Sequence, residues 1–430
     1  TELHPLDEGL PPRSIDFAAL TYFDNGYVLV GEAIEERYQP GWVSFRVPKD
    51  FDLWDHGDLF GYLHLTQAGY SIMSDRLEAK LDDLIIDPPK CQIDEDCDDQ
   101  NECTEDRCIG GACESTPVAD GTLCTEGECL AGVCAPIGAF PCTEQGIRDA
   151  ISEGGGPHFF ACDGTRPVVT QSEIFIGDDV ILDGRGNLTV DGNEDHRVFQ
   201  VSENVTAELR GFTITGGSMD GNAGGGLWNE GTLTLSNCTV SENITNGITN
   251  HRGTLTLIDS AVWGNTYADQ GAGIRNQGAG ELGKTTLINT TVSGNTATGP
   301  IAYGGGIANY FGELTLIDST VSGNSADRLG GGGIGSGGGG AGGSAELMLI
   351  RSTVSGNSTR LGSGGGINNS GSSTVTLINS TVSENSAGGM GGGLYSYNEA
   401  TLMLINSTVS ENTAPRGDGI GNTATLTLTN

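Results

Sequence analysis

From about residue 221 onward, apolar and polar positions alternate in short bursts. Leu233-Thr234-Leu235, Leu255-Thr256-Leu257, Leu314-Thr315-Leu316, Leu347-Met348-Leu349, Leu402-Met403-Leu404 and Leu426-Thr427-Leu428 each set two leucines two positions apart. A period of two sends the leucines to one side of a strand and the residue between them to the other. Each burst follows a Gly-rich tetrapeptide that ends at Leu227, Ile274, Ile307, Ile334, Ile367 or Leu394, with degenerate copies at Ile248 and Ile420. Before the last burst, each coil goes on to a Thr-Val-Ser-Gly/Glu-Asn segment or a variant of it, whose closing residues are Asn243, Asn265, Asn295, Asn324, Asn357, Asn385 and Asn412. Those asparagines are 22, 30, 29, 33, 28 and 27 positions apart, and the extra residues fall mainly in the Gly-rich stretches. Fixed strands joined by loops of variable length are what a solenoid tolerates. No helix-forming run separates the strands, so each unit reads as one coil of a parallel β-helix at roughly 4.8 Å per coil. Leucines and valines then stack inward, and asparagines at a repeated corner can form ladders of side-chain amide bonds.

Upstream the strands continue without a regular repeat, in apolar runs at 174–176, 180–182, 188–190, 198–201 and 212–214 divided by Asp, Gly and Asn turns. Residues 143–151 read as a short capped helix with Ile147, Ala150 and Ile151 on one face, suited to closing the open end of a sheet stack. Residues 1–87 read as a small α+β segment. Its strands lie near Tyr27 and Val43, and Met73, Leu77, Leu81 and Leu84 recur at helical spacing. Asp87-Pro88-Pro89-Lys90 has the composition of a stiff linker. The expected architecture is mainly β: residues 1–87 as the α+β segment, 88–140 as an acidic disulfide-rich module, and 141–430 as a right-handed parallel β-helix (β-solenoid) with an N-terminal capping helix.

Cysteine usage adds a compartment. Cys91, Cys97, Cys103, Cys108, Cys113, Cys124, Cys129 and Cys134 fall in a stretch with few apolar residues, the profile of a module held by disulfides in an oxidising environment. Four bridges are expected there, in any of 105 pairings, and Cys142 and Cys162 are close enough in sequence to form another. Cys238 reads as lying inside a strand without a nearby partner, a buried free thiol. The module carries twelve carboxylates against one base, Arg107. Asp94, Asp96, Asp98 and Asp99 are therefore the candidate ligands for a hard cation such as calcium, set against the plainer reading of a solvated acidic loop. The 70 glycines exclude an ordinary globular α/β protein. A net charge of -36 weighs against nucleic acid and anionic membranes as partners, and no apolar run is long enough for a membrane-spanning segment.

The Gly-Gly-Gly-Ile tetrapeptides, the Leu-Thr-Leu-Ile-Asn-Ser-Thr-Val-Ser-Gly-Asn strings, and the leader Ile181-Leu182-Asp183-Gly184 with Val198-Phe199-Gln200-Val201 resemble bacterial surface β-helix proteins with polymorphic-outer-membrane-protein-like repeats. In the chlamydial members the tetrapeptide is paired with Phe-x-x-Asn, where this chain has Val-Ser-Gly-Asn or Val-Ser-Glu-Asn. The Cys91-to-Cys134 module is similar to acidic Cys-rich modules of large secreted myxobacterial proteins. The resemblance implies a secreted or outer-surface location and a structural or adhesive role, with other surface proteins, carbohydrate or copies of the chain itself as partners.

Right-handed β-helices also house polysaccharide lyases and glycoside hydrolases, whose sites need paired carboxylates or a calcium-binding cluster beside a base. The densest candidate is Asp183, Asp191, Asp195, His196 and Arg197, with Arg185 nearby; its plain reading is a set of turn residues. Asp259 and Asp318 share a column with no evident basic partner, and the Gly330-to-Gly333 and Gly337-to-Gly343 runs read as a flexible insertion. The last strand, ending at Asn430, looks uncapped, which raises end-to-end assembly as a further expectation.

Overall fold

The structure is a computed structural model that describes residues 91–429 apart from 92, 165, 220–223, 279–282 and 338–343, together with the backbone of five short strands within residues 1–90. Two compact units divide the chain: Thr1–Cys97 with Arg107–Glu114, and Asp98–Asp106 with Ser115–Asn430. In the first, Thr21–Tyr22, Tyr27–Leu29 and Ser44–Arg46 form a three-stranded antiparallel sheet, and Leu59–Phe60 pairs with His64–Leu65. The helix expected around Met73 to Leu84 lies outside the described residues. Two disulfides belong to this unit, Cys91–Cys108 and Cys97–Cys113.

The second unit carries Cys103–Cys129 and Cys124–Cys134, then the helix α1 (Glu144–Glu153), then the solenoid. Thr143 caps α1, its Oγ1 accepting from Gly146 N at 3.0 Å, and Ile147, Ala150 and Ile151 are buried against the first coils. Cys142 and Cys162 are joined on either side of that helix. The carboxylate of Glu144 accepts from Arg148 Nη2 at 2.6 Å and from Gln171 N at 2.7 Å, tying α1 to the coil it covers. Burial raises the Glu144 pKa, but the bonds from Gln171 and Arg148 outweigh it and hold the carboxyl below its ordinary value.

Parallel sheets run along the solenoid. One has ten strands, from Ile174–Ile176 and Phe199–Val201 to Ile420–Asn422, and sets the count at about ten turns. A second takes two strands from each regular coil, such as Thr254–Ile258 and Ala261–Trp263. A third consists of five two-residue strands, from Thr266–Tyr267 to Ser386–Ala387. Every tetrapeptide terminus falls in one column: Leu227, Ile248, Ile274, Ile307, Ile334, Ile367, Leu394 and Ile420 are register partners in succession. Leu235, Leu257, Leu287, Leu316, Leu349, Leu377 and Leu404 form a second column. Val240, Val262, Val292, Val321, Val354 and Val382 form a third. All three are buried as far as Leu394, Leu404 and Val382 in one continuous core. At about 1.5–3 kcal/mol for each fully buried aliphatic side chain, these columns dominate the stabilisation of a coil.

Polar ladders hold the corners between the columns. Along Asn243, Asn265, Asn295, Asn324, Asn357, Asn385 and Asn412, each backbone N–H and each Nδ2 donates to the Oδ1 of the next asparagine at 2.9–3.0 Å. At the preceding corner, Cys238 N donates to Ser260 Oγ, and the pattern continues through Thr290, Ser319, Ser352, Ser380 and Ser407. A shorter amide ladder joins Asn229, Asn250, Asn276 and Asn309.

The last glycine of each tetrapeptide has a steric cause. A Cβ at Gly306 would sit 2.9 Å from the Asn324 amide and 2.8 Å from Gly333 O; one at Gly333 would meet Asn357 at 2.9 Å and Gly366 O at 2.7 Å. The glycine column and the asparagine ladder thus occupy the same corner, which explains why the two motifs recur together. Gly330–Gly333 is one rung of this glycine corner rather than an insertion, since Gly304 N, Gly305 N and Gly306 N donate to Gly330 O, Gly331 O and Gly332 O. Residues 338–343 lie outside the described residues.

Candidate functional site

The carboxylates singled out in sequence mostly serve the backbone. Asp183 Oδ1 accepts from Arg185 N at 2.9 Å, and Asp191 Oδ1 accepts from Asn193 N at 2.8 Å, so each closes its own turn. Asp183 precedes the corner within the long strand Val180–Asp191 and Asp191 ends it. Asp195 is exposed, and its N–H donates to Gly192 O. His196 Nε2 lies 2.8 Å from Thr170 Oγ1. Arg185 pairs with Glu126 at 2.5 Å.

Arg197 differs from these. It is buried, donates from Nε to Gly224 O and from Nη1 to Glu173 and Gln200, and lies 5.2 Å from the centre of the Trp228 ring.

The aspartates considered for calcium also accept from backbone N–H groups, three of them within their own turns and Asp94 across the module. Asp94 Oδ1 accepts from Cys108 N, Asp96 Oδ2 from Ile93 N, Asp98 Oδ1 from Gln100 N, and Asp99 Oδ1 from Asn101 N and Thr104 Oγ1. Among the described residues, groups of potential ligand atoms within 4.8 Å of one another all contain disulfide-bonded cysteines, and none includes these aspartates. Asp318, read from sequence as lacking a base, pairs with Arg351 from the next rung at 2.7 Å. Cys238 sits at the turn between Thr232–Ser236 and Thr239–Ser241, not inside a strand, and donates its thiol hydrogen to Leu209 O and Ser236 O. Burial, only partly offset by bonds from nearby backbone N–H groups, pushes its pKa up to about 11.

A concentration of unusual side chains emerges only once the register is known. On the outer side of the ten-stranded sheet, the column following the Leu/Ile column reads Gln200, Trp228, Thr249, Arg275, Ala308, Gly335, Asn368, Tyr395. Two positions further along the strands stand His251, Gln277, Tyr310, Gly337 and Ser370. Trp228 stacks on His251 with ring centres 4.9 Å apart, Tyr303 meets Tyr310 edge-on at 5.5 Å, and Tyr395 stacks on Tyr397 at 5.1 Å. Tyr303 lies across the strand Ile334–Gly337: a Cβ at Gly335 would come within 2.4 Å of its ring, and its hydroxyl donates to Asn368 O at 3.4 Å.

The electrostatics of this face are perturbed by burial. Burial raises the carboxyl of Asp269 despite the opposing charge of Arg275, and raises Tyr267 and Tyr310. It raises Tyr303 well above the ordinary tyrosine value, against the bond to Ser370. His251 is pushed down by burial and then by Arg252 and Arg275. Thr249 Oγ1, His251 Nδ1, Asp269 Oδ1 and Asn368 Oδ1 are buried with no hydrogen-bond partner among the described residues. Orphaned buried groups of this kind cost roughly 1–3 kcal/mol each, and they also occur off this face, at Asn246 Oδ1 and at Asn369 Oδ1 in the inward amide column.

Sequence reasoning missed this face apart from Arg197. The available signal was that the few aromatics interrupt the repeat one and three positions after the tetrapeptide terminus, as Trp228, His251, Tyr310, Tyr395 and Tyr397 do.

Fold and ladders together define the class: a parallel β-solenoid of about ten turns with a disulfide-rich segment before it. No protein-family model, curated protein or solved structure matches the chain. Among the described residues, no helix is long and apolar enough to cross a membrane.

Proposed function

We propose that this protein is an extracellular or outer-surface structural scaffold used in adhesion, related to the bacterial β-helix proteins with polymorphic-outer-membrane-protein-like repeats. The observation that carries the reading is the unbroken buried ladder from Asn243 to Asn412, which couples each coil to the next by two side-chain-mediated bonds. A stack joined in this way is stiff along its axis and offers proteases few unpaired backbone groups, as suits a rod that presents a surface outside the cell. Five disulfides support an oxidising compartment. The coil is right-handed by the general bias of parallel crossovers. The organisation proposed is an N-terminal segment over residues 1–87, a disulfide-rich module over 88–140 and the rod over 141–430.

The competing enzyme reading finds less support, because Asp183 and Asp191 each spend an oxygen on a turn N–H. Two assays test the proposal. Beads coated with the chain are expected to be retained on surfaces carrying polysaccharide, protein or the chain itself, with no turnover of acidic or neutral polysaccharides with or without calcium. Turnover abolished by Asp183→Asn or Asp195→Asn would overturn the scaffold reading.

A further inference from the structure

We propose that the rod pairs face to face and antiparallel with a second copy of this chain, through the outer side of the strands from Thr254–Ile258 to Thr401–Ile405. This names one partner for the scaffold and rests on that reading only for the setting in which two rods meet. The observation is a ladder of isoleucines that points outward. Ile258, Ile288, Ile317, Ile350, Ile378 and Ile405 are successive register partners, each half-buried, while the leucine column on the inner side of the same strands is buried. The stripe is unbroken for roughly 24 Å at the usual rung spacing. Beside it run Thr256, Thr286, Thr315, Met348, Thr376 and Met403, whose methyl groups widen it. Strand propensity does not demand isoleucine here, because the outer side of the next strand carries Thr291, Thr320, Thr353, Thr381 and Thr408 on the same rungs. A continuous apolar ladder on a solvent face marks an interaction surface.

The charges flanking the ladder select the partner and its direction. On one flank, the first outward position of successive rungs reads Thr254, Lys284, Glu313, Glu346, Thr374. On the other, the exposed turns read Asp259, Asn289, Asp318, Arg351, Asn379. Let a second copy face the first about a two-fold axis that runs along the strands, midway between the rungs of Ile288 and Ile317. Each flank then meets the same flank of the other copy with the rung order reversed. Lys284 faces Glu313 of the other copy, Asp259 faces Arg351 of the other copy, both pairs occur twice, and no like charges meet. Ile288 faces Ile317 and Ile258 faces Ile350, so the four central isoleucines of each copy all find isoleucine opposite. A slip of one rung sets Lys284 against Lys284 or Glu313 against Glu313. A two-fold axis along the rod, centred on the threonine column, sets Lys284, Glu313 and Glu346 against isoleucines. The antiparallel register is thus self-complementary in charge and in apolar content.

Two opposing features fit the same arrangement. The net charge of -36 repels the two copies, so the isoleucines supply the attraction and the opposed pairs fix the orientation. Glu208 and Arg210, which face Met403 and Ile405 of the other copy, lie at the rim and are already bonded to each other at 2.7 Å. Within one chain Asp259 accepts from Asn289, and Arg351 stands three rungs away, roughly 14 Å at the usual spacing, so those two charges meet only across the pair.

Sedimentation equilibrium of the whole chain at about 0.15 M salt, which screens the net repulsion beyond about 8 Å, tests the proposal. A monomer–dimer equilibrium is expected. Ile317→Lys, at the centre of the face, is expected to weaken it about a hundredfold, in a chain whose melting transition shows that the coils remain folded. Two charge reversals read the register. Asp259→Arg and Arg351→Asp each set like charges face to face in a pair of identical chains and are expected to weaken association about tenfold, whereas their equimolar mixture is expected to recover it. The turn accepts both, since aspartate and arginine already occupy this column at φ 50°. A monomer at every concentration, a dimer indifferent to Ile317→Lys in folded chain, or a mixture that associates no better than either reversal alone would sink the pairing. If coated beads hold to polysaccharide or protein surfaces while the free chain stays monomeric, the adhesive reading stands and the pairing falls. A dimer that meets these tests, with beads retained on no surface, keeps the pairing and sinks the adhesive role.

Discussion

Two columns of asparagine run along the same repeat and do opposite work. Asn237, Asn289, Asn379 and Asn406 stand at exposed turns with φ between 47° and 53°, a column they share with Asp259, Asp318 and Arg351 at φ 50°. There asparagine is chosen for the ease with which it enters the left-handed region, and its side chain is replaceable by an aspartate or even an arginine. Asn243 to Asn412 stand at a buried corner, and each satisfies the backbone N–H of the preceding coil's asparagine or continues the chain of amides. That column has no exception among the seven coils that carry it. The difference teaches that in a stacked fold invariance follows the bonds a side chain makes between rungs, and not the residue type that the turn prefers.

The sharpest way to break the contrast is Asn324→Ala. It removes the acceptor of Asn295 N and Nδ2 and the donor to Val292 O and Asn357 Oδ1, all buried. Losing several buried bonds at once should cost about 3–5 kcal/mol, read as a lowered urea midpoint. Gly333→Ala attacks the same corner from the other side, forcing a methyl against Asn357 and Gly366 O, and should cost about 1–3 kcal/mol in the same measurement.

Glu144→Gln probes the cap that closes the stack, with an expected loss near 1 kcal/mol at neutral pH. Because the folded pKa of Glu144 is depressed, its contribution is complete above the unfolded carboxylate value and is lost as pH falls through the lower folded value. Stability of the natural chain and of the variant should therefore converge in acid. At the small end, Asn379→Gly in the exposed column should change stability by no more than about 0.5 kcal/mol, since glycine tolerates its φ of 49°. Cys238 sharpens the comparison chemically: it holds the first place in the hydroxyl ladder, and with a pKa near 11 it should resist thiol reagents at pH 8 until the chain is unfolded in denaturant.

Much of the architecture could be read before any coordinate was known. The tetrapeptide termini and the Leu-Thr-Leu bursts announced two inward columns because a period of two is visible within five residues, and the recurring closing asparagine announced a corner. The third sheet was not legible: strands of two residues, such as Thr296–Ala297, are too short to show a period. Nor was the partnership of Asp318 with Arg351, which depends on both occupying the same turn one rung apart. The aromatic face was hidden for a related reason. Trp228, Tyr310 and Tyr395 are far apart in sequence and break the repeat at different coils, so only the register brings them onto one side. Asp183 and Asp191, by contrast, were conspicuous in sequence because turns concentrate aspartate, the use the structure gives them.

The difference between the two asparagine columns can be read directly by side-chain amide hydrogen exchange, resolved by NMR residue by residue. The Nδ2 hydrogens of Asn265, Asn295, Asn324, Asn357 and Asn385, each bonded to the next amide, are predicted to exchange orders of magnitude more slowly than those of Asn237, Asn379 and Asn406. Comparable fast exchange in both columns would contradict a buried ladder and, with it, the continuous rod.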